Sequence, residues 1–292
     1  MPDKRITDGH VRPLAPIPTG MEPSGKLIGR VCCVLFDIYG TLFISASGDI
    51  GISAKQDLTA GRLAGLLDKY DLRADPGCLQ DNLRAAVLAD HEKNKKKGVD
   101  FPEVRIEEIW MKVLDISDPD RVKNFAIEYE WLVNPVHPMP GLVEMLGALK
   151  RMNIPMGIIS NAQFYTPLLF ERLLGSGMEH LGFEKDLIFF SCDLGCAKPS
   201  QTIFKHAVKS LERRETAPGA TLYMGNDMLN DIWPAARAGM QTALFAGDAR
   251  SMRLRTDHPE CRNFSADLVV TGLMQVPELI RSAGRNGEKH TT

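Results

Sequence analysis

Val31-Cys32-Cys33-Val34-Leu35-Phe36-Asp37-Ile38-Tyr39-Gly40-Thr41 decides the fold. Six apolar residues in an unbroken run stop at Asp37, and Gly40 follows three positions on. A strand of a parallel sheet reads this way, because helices cover both of its faces and leave no side for polar residues. Toward the C-terminus, further strand candidates are Ile154 to Ile159, Leu187 to Ser191, Thr221 to Met224, Thr242 to Phe245 and Asp267 to Thr271. Helical spacing or a glycine-rich turn separates each from the next, as with Leu142, Met145, Leu146 and Leu149 ahead of the second strand. Strands alternating with helices predict an α/β fold with a doubly wound, Rossmann-like parallel sheet. Ligands of such sheets bind beyond the carboxyl ends of the strands.

Between the first two strands the period changes. From about Ser53 to Trp131 the apolar residues recur at helical spacing, as in Leu63, Leu66, Leu67 and Tyr70, then Ile106, Ile109, Trp110 and Val113. The expected organisation is an irregular N-terminal arm over 1–28, an α/β core over 29–47 and 136–283, a helical insertion over 48–135, and a frayed polar tail over 284–292. Pro13, Pro16, Pro18 and Pro23 punctuate the arm, and Pro135, Pro138 and Pro140 mark the return to the core. Within the insertion, Trp110 and Trp131 read as core, and the run Lys93, Lys95, Lys96, Lys97 as a solvated helix face.

Composition narrows the function classes. With 35 Lys plus Arg against 37 Asp plus Glu, no global field favours nucleic acid or an anionic membrane, so an anionic ligand has to be caught locally. No apolar run reaches the roughly 18 residues that span a bilayer, and the N-terminus lacks the apolar stretch of a secretory signal; the expected location is cytoplasmic. The six cysteines stand mostly beside apolar strand residues, which fits reduced core thiols better than a disulfide framework. The sequence carries no statement about oligomeric state.

Chemistry collects just past the strand ends. The first gives Asp37-Ile38-Tyr39-Gly40-Thr41, the second Ser160-Asn161, the fourth Gly225-Asn226-Asp227-Met228-Leu229-Asn230-Asp231, and Lys198-Pro199 comes a few residues after the third. A carboxylate nucleophile needs a rigid mount and a cation that keeps it ionised, and Lys198 is the candidate. Ser160 offers a hydroxyl to the oxygens of a transferring group. Asp37, with Asp227 or Asp231, offers oxygen ligands of the kind Mg2+ prefers.

The order D-x-x-G-T, S-N, K-P, then G-(D/N)-x-x-x-N-D resembles the four motifs of the haloacid dehalogenase superfamily. The resemblance covers roughly residues 30–45 and 136–283, and the helical block resembles the cap that many members insert after the first motif. It implies a hydrolase acting on a small anionic substrate. Asp37 would attack, Lys198 would balance charge, and Thr41, Ser160 and Asn161 would hold substrate. Asp37, the backbone carbonyl of Tyr39, and Asp227 or Asp231 would hold Mg2+.

Two departures pull in opposite directions. Most phosphatases of the family carry a second Asp two residues after the nucleophile, where this chain has Tyr39, a phenol that donates a proton but is a poor base near neutrality. Tyr39 instead matches the D-x-Y-G-T of the 2-haloacid dehalogenases, whose halide leaves as an anion and needs no acid. Against that, the acidic fourth motif looks like a phosphatase metal site, and the insertion lacks the Trp-Arg-x-Lys-Gln string that gives those dehalogenases their halide-side Arg. In the fourth motif, either Asn226 replaces the first acid or Asp227 is that acid, and the reading places Asp227 slightly ahead. The resulting order is Mg2+-dependent phosphatase first, metal-independent dehalogenase second, and a non-catalytic binding protein of the same fold third.

Overall fold

The computed structural model describes residues 14–46 and 56–288. The first residues of the expected arm (1–13), the start of the insertion (47–55) and the end of the tail (289–292) lie outside the described residues. The chain divides into two compact units: Ser45–His137, and Ala15–Ile44 with Pro138–Thr292.

The larger unit is built on a seven-stranded sheet in the order β1-β9-β8-β7-β2-β5-β6. The strands are β1 (Ser24–Gly25), β2 (Cys33–Phe36), β5 (Met156–Ser160), β6 (Phe183–Phe190), β7 (Thr221–Gly225), β8 (Gln241–Phe245) and β9 (Leu268–Val270). All neighbours pair in parallel except β1, which runs antiparallel to β9. Helices α5 (Leu142–Arg151), α6 (Pro167–Leu174), α7 (Met178–Leu181), α8 (Ser191–Leu194), α9 (Gln201–Arg213), α10 (Trp233–Arg237) and α11 (Gln275–Glu288) flank the sheet. This is the α/β architecture, with a mostly parallel sheet, that the alternation predicts.

β2 is buried at all four residues and stands between β5 and β7. Its successor in the sheet, β5, lies on one side, while β7 starts the run toward the other edge. The strand order therefore reverses at β2, and the crevice at such a reversal is where open α/β sheets bind ligands. The nucleophile candidate sits at that point because a continuous apolar run takes one of the wholly buried inner positions of the sheet. Beneath the site, Cys33, Leu35, Ile159, Leu187 and Tyr223 of the sheet pack with Ile203, Phe204, Ala207 and Leu211 of α9.

Two local expectations are corrected. The arm is not irregular throughout, since Ser24 and Gly25 pair with Val269 and Leu268; a two-residue edge strand beside Pro23 carries no periodic signal to read. The stretch from Gly284, expected to fray, continues α11 to Glu288.

The smaller unit holds α1 (Gln56–Lys69), α2 (Leu79–Lys95), α3 (Ile106–Leu114) and α4 (Pro119–Val133). Trp110 stacks edge-on against Phe125 and Tyr129, with ring centroids 5.1 and 4.6 Å apart, so this tryptophan is core. α4 starts where Asp118 accepts from the backbone N–H groups of Asp120 and Arg121 and Pro119 takes the first helical position. The segments that leave and rejoin the sheet unit, β3 (Phe43–Ser45) and β4 (Val136–Pro138), pair with each other as a separate ribbon. All six cysteines are free, and no helix among the described residues is long and apolar enough to cross a membrane.

Candidate active site

Asp37 leaves β2 with its backbone N–H bound to Met224 O at 2.9 Å, and the chain then turns sharply, with Ile38 O accepting from the N–H groups of Thr41, Leu42 and Phe43. Gly40 allows the turn: its φ is +84°, and a Cβ there would stand 2.6 Å from Ser251 Cβ and 2.8 Å from Asn226 Nδ2. The carboxylate this mounts is buried. Its Oδ1 accepts from Lys198 Nζ at 2.7 Å and from Ser160 Oγ at 2.9 Å.

Lys198 Nζ has three N–H donors and three acceptors: Asp37 Oδ1, Asp231 Oδ1 at 2.5 Å and Tyr223 Oη at 3.1 Å. Burial alone would lower the Lys198 pKa, but Asp231 and Asp37 outweigh it and hold the ammonium above its ordinary value. Asp231 fares differently. Its pKa stands raised at about 6, the balance of burial, which pushes it up most, Lys198, which pulls it down, and the charges of Asp37 and Asp227, which push it up. Both directions follow from one arrangement, two buried carboxylates sharing one ammonium: the cation gains two partners, and each anion gains half of one. Tyr223 lies between Asp231 and Ile159 O, and its hydroxyl is held neutral by burial and by the acids beside it.

The residues expected to hold substrate are engaged with the protein. Thr41, fully buried, donates to Asn226 Oδ1 at 3.0 Å. Ser160 serves Asp37. Asn161 clamps the backbone of Lys198, its Oδ1 accepting from Lys198 N at 2.7 Å and its Nδ2 donating to Lys198 O at 3.3 Å. The Tyr39 hydroxyl meets Thr166 Oγ1 at 3.0 Å.

The structure also separates the two residues between which the fourth motif left a choice. Asn226 is the one at the nucleophile loop, with Nδ2 donating to Ser251 O at 2.7 Å. Asp227, the residue placed slightly ahead, turns the other way: it caps the π-helical turn Met228–Ile232 through Leu229 N and Asn230 N and pairs with Arg255 at 2.6 Å. Asp231 spends Oδ1 on Lys198 and Tyr223 and Oδ2 on Asp227 N. Of the three acids, only Asp37 keeps an oxygen, Oδ2, with no donor among the described residues. A magnesium ion takes six oxygen ligands in strict octahedral geometry. Waters usually complete that shell around one or two carboxylates, but beside the Tyr39 carbonyl the described residues offer a single open carboxylate oxygen, with an ammonium on its twin and the neutral amide of Asn226 as neighbour; with both oxygens of Asp227 and of Asp231 engaged, this is a poor fit to a resident Mg2+.

Several neighbours carry no sequence signal of function. Tyr223 reads as a packing aromatic inside a strand, Thr166 as a turn residue, and Arg255 as a solvated arginine. Ser251 reads as a loop residue, yet its Oγ donates to Gly40 O at 3.2 Å. The arm reaches the site indirectly, through Ile17 N on Asp248 Oδ1 and Ala249 N on Ile17 O, so it braces the loop that carries Ser251.

Gly225 closes β7 against the Asp231 side chain, and a Cβ there would overlap Asp231 Cγ and Cβ. Gly225→Ala is therefore expected to push Asp231 off Lys198, costing about 1–3 kcal/mol of stability together with activity. Thermal melts and turnover read alongside wild type check this; a variant with unchanged melting would mean that Asp231 is free to move.

A model of the haloacid dehalogenase-like hydrolase family matches residues 32–239. An uncharacterized hydrolase of Schizosaccharomyces pombe is 27% identical over 222 residues, covering 73% of this chain and 89% of that protein. The glyceraldehyde 3-phosphate phosphatase of Methanothermobacter thermautotrophicus is 28% identical over 145 residues, covering 50% of this chain and 59% of its own. Among solved structures, a 2-haloacid dehalogenase of Pseudomonas syringae pv. tomato superposes with a TM-score of 0.53 at 19% identity, covering 86% of this chain and 99% of that one. The matched span takes in Asp37, Ser160, Lys198 and Asp231, and the chain belongs to the haloacid dehalogenase-like hydrolase family.

Proposed function

We propose that this hydrolase works without a divalent cation, with Asp37 displacing an anionic leaving group from carbon, and that its substrates are small 2-haloacids. The observation that carries the reading is the division of labour on Asp37: Oδ2 is open while Oδ1 is held by Lys198 and Ser160. Attack by Oδ2 on C2 forms a C–O bond as the C–halogen bond breaks, and the halide takes the electron pair with it. Asp37 is then an ester whose carbonyl oxygen is Oδ1. Its two donors polarise that carbonyl and stabilise the oxyanion formed when water adds to Cγ, a role worth about 10²–10³ in rate per donor. Collapse releases the 2-hydroxy acid and restores the carboxylate, so halide, product and one proton balance the substrate and water. No acid is needed for the leaving group, which suits Tyr39.

Electrostatics favour this over phosphate transfer. Asp37, Asp231 and Lys198 sum to one negative charge, and a like charge at ~4 Å costs about 4 kcal/mol at the effective dielectric of a protein surface. A phosphate dianion would meet that repulsion at the reacting atom itself. The second reading, phosphate monoester hydrolysis, stands on the likeness to the glyceraldehyde 3-phosphate phosphatase.

The test is release of chloride from 2-chloropropionate and of phosphate from an aryl phosphate by purified protein, each in chelator and in magnesium. Halide release undiminished by chelator is expected. Phosphate release that requires magnesium, with no halide in any tube, would replace this reading with the second.

A further inference from the structure

Asp227 already has a cation. Arg255 Nε lies 3.2 Å from Oδ1 and 3.1 Å from Oδ2, and Nη2 lies 2.6 Å from Oδ2, the forked approach of a guanidinium to a carboxylate. Leu229 N and Asn230 N add to Oδ1, and Asn230 Nδ2 adds to Oδ2 at 3.1 Å. Each carboxylate oxygen has about two lone pairs in the plane, so this acid is saturated.

We propose that Arg255 is a resident counter-ion: its tethered guanidinium takes the electrostatic place beside Asp227 that a soluble divalent cation would otherwise fill, and through the π-helical turn it positions Asp231 on Lys198. Three features of the backbone support it. Arg253 N donates to Asn226 O and Met228 N to Arg253 O, both at 2.9 Å, so the segment bearing Arg255 is stitched to the segment bearing Asp227. Arg255 itself has φ +54°, a left-handed conformation that a non-glycine residue keeps only where its surroundings impose it. Asp227 in turn caps the turn that carries Asp231, and Asp227 N donates to Asp231 Oδ2 at 2.9 Å. The chain of contacts runs without a gap from Arg255 through Asp227 and Asp231 to Lys198.

The charge count shows what the arginine prevents. With Arg255 present, the Asp227 pair is neutral and the neighbourhood carries one net negative charge. Without it, Asp37, Asp227 and Asp231 share the single ammonium of Lys198, and two uncompensated charges attract any divalent ion in solution. The guanidinium is thus what makes an acidic motif indifferent to metal. This rests on the metal-free reading of the core and explains how a chain with two acids in that motif would sustain it.

The experiment is a Mn2+ titration of the full-length protein, followed by the paramagnetic resonance of the free ion, on wild type, Arg255→Ala, Arg255→Lys and the double variant Arg255→Ala/Asp227→Asn. Arg255→Ala is expected to bind Mn2+ at least about tenfold more tightly than wild type. Arg255→Lys, which keeps the charge, should follow wild type, and the double variant should lose the gain. Should the alanine variant fail to fold, Arg255→Gln carries the same expectation. An Arg255→Ala isotherm superimposable on wild type, or a gain that survives in the double variant, overturns the proposal. No substrate enters the titration, so its failure is distinct from that of the proposed reaction, which would show as halide silence in the wild type.

Discussion

Asp37→Asn is expected to lower kcat for any substrate of this protein by at least about 10⁴-fold, because a carboxamide cannot supply the attacking oxygen and no second carboxylate is free to replace it. The variant should be well folded. Asn Oδ1 still accepts from Ser160 and Lys198, and Lys198 keeps Asp231 and Tyr223. It should also respond to pH in a predictable way. In the wild type the Asp231 pKa stands at about 6 against an ordinary 3.8, with the Asp37 charge among the causes that raise it. A carboxyl whose folded pKa is raised contributes stability that is present below its unfolded pKa and lost as pH rises through the folded one. The wild type should therefore lose stability from about pH 4 to pH 6, and Asp37→Asn should lose less across that window. Denaturant melts at a series of pH values, with single-turnover assays beside them, check both halves. Turnover within about tenfold of wild type would remove Asp37 as the nucleophile.

Strand ends were legible because the chemistry needs particular residue types at the ends of buried runs, and both signals are local in sequence. Asp37, Ser160 and Asp231 lie at or after the ends of three strands and Lys198 beyond the short helix that follows a fourth, and the sheet brings them into one hydrogen-bonded group. The choice between Asn226 and Asp227 was not legible. Both follow β7 within two residues, and only the backbone direction at the π-helical turn decides which side chain meets the nucleophile loop. Tyr223 was hidden for another reason: inside a continuously buried strand an aromatic reads as core, and its hydroxyl gains meaning only from Lys198, 25 residues earlier. Arg255 lies 28 residues from its partner on a loop without period. Long-range pairs of this kind leave no mark on a single sequence. The same limit touches Thr41, Ser160 and Asn161, where residue type was readable but the partner of each polar atom was not.

Lys198→Met should be the most destabilising single change at the site. The lysine side chain is 3% exposed and holds carboxylates that are 9% and 2% exposed, so its removal leaves two buried charges face to face with nothing between them. Breaking a buried pair on one side costs about 3–5 kcal/mol, a large share of the 5–15 kcal/mol that holds a typical domain together. Methionine fills most of the lysine's volume, so the loss reports charge rather than a cavity. That distinction has a signature. A carboxylate stripped of its cation takes up a proton more readily, which raises the folded pKa further and moves the stability to the acid side. The variant should therefore melt closer to wild type at pH 5 than at pH 8, whereas a packing defect would cost the same at both. Activity should fall by about 10²–10³ beyond the effect of stability, since Oδ1 of Asp37 loses one of its two donors. A Lys198→Met protein whose melting deficit is equal at the two pH values, with turnover near wild type, would show that the ammonium neither balances Asp37 and Asp231 nor takes part in the reaction.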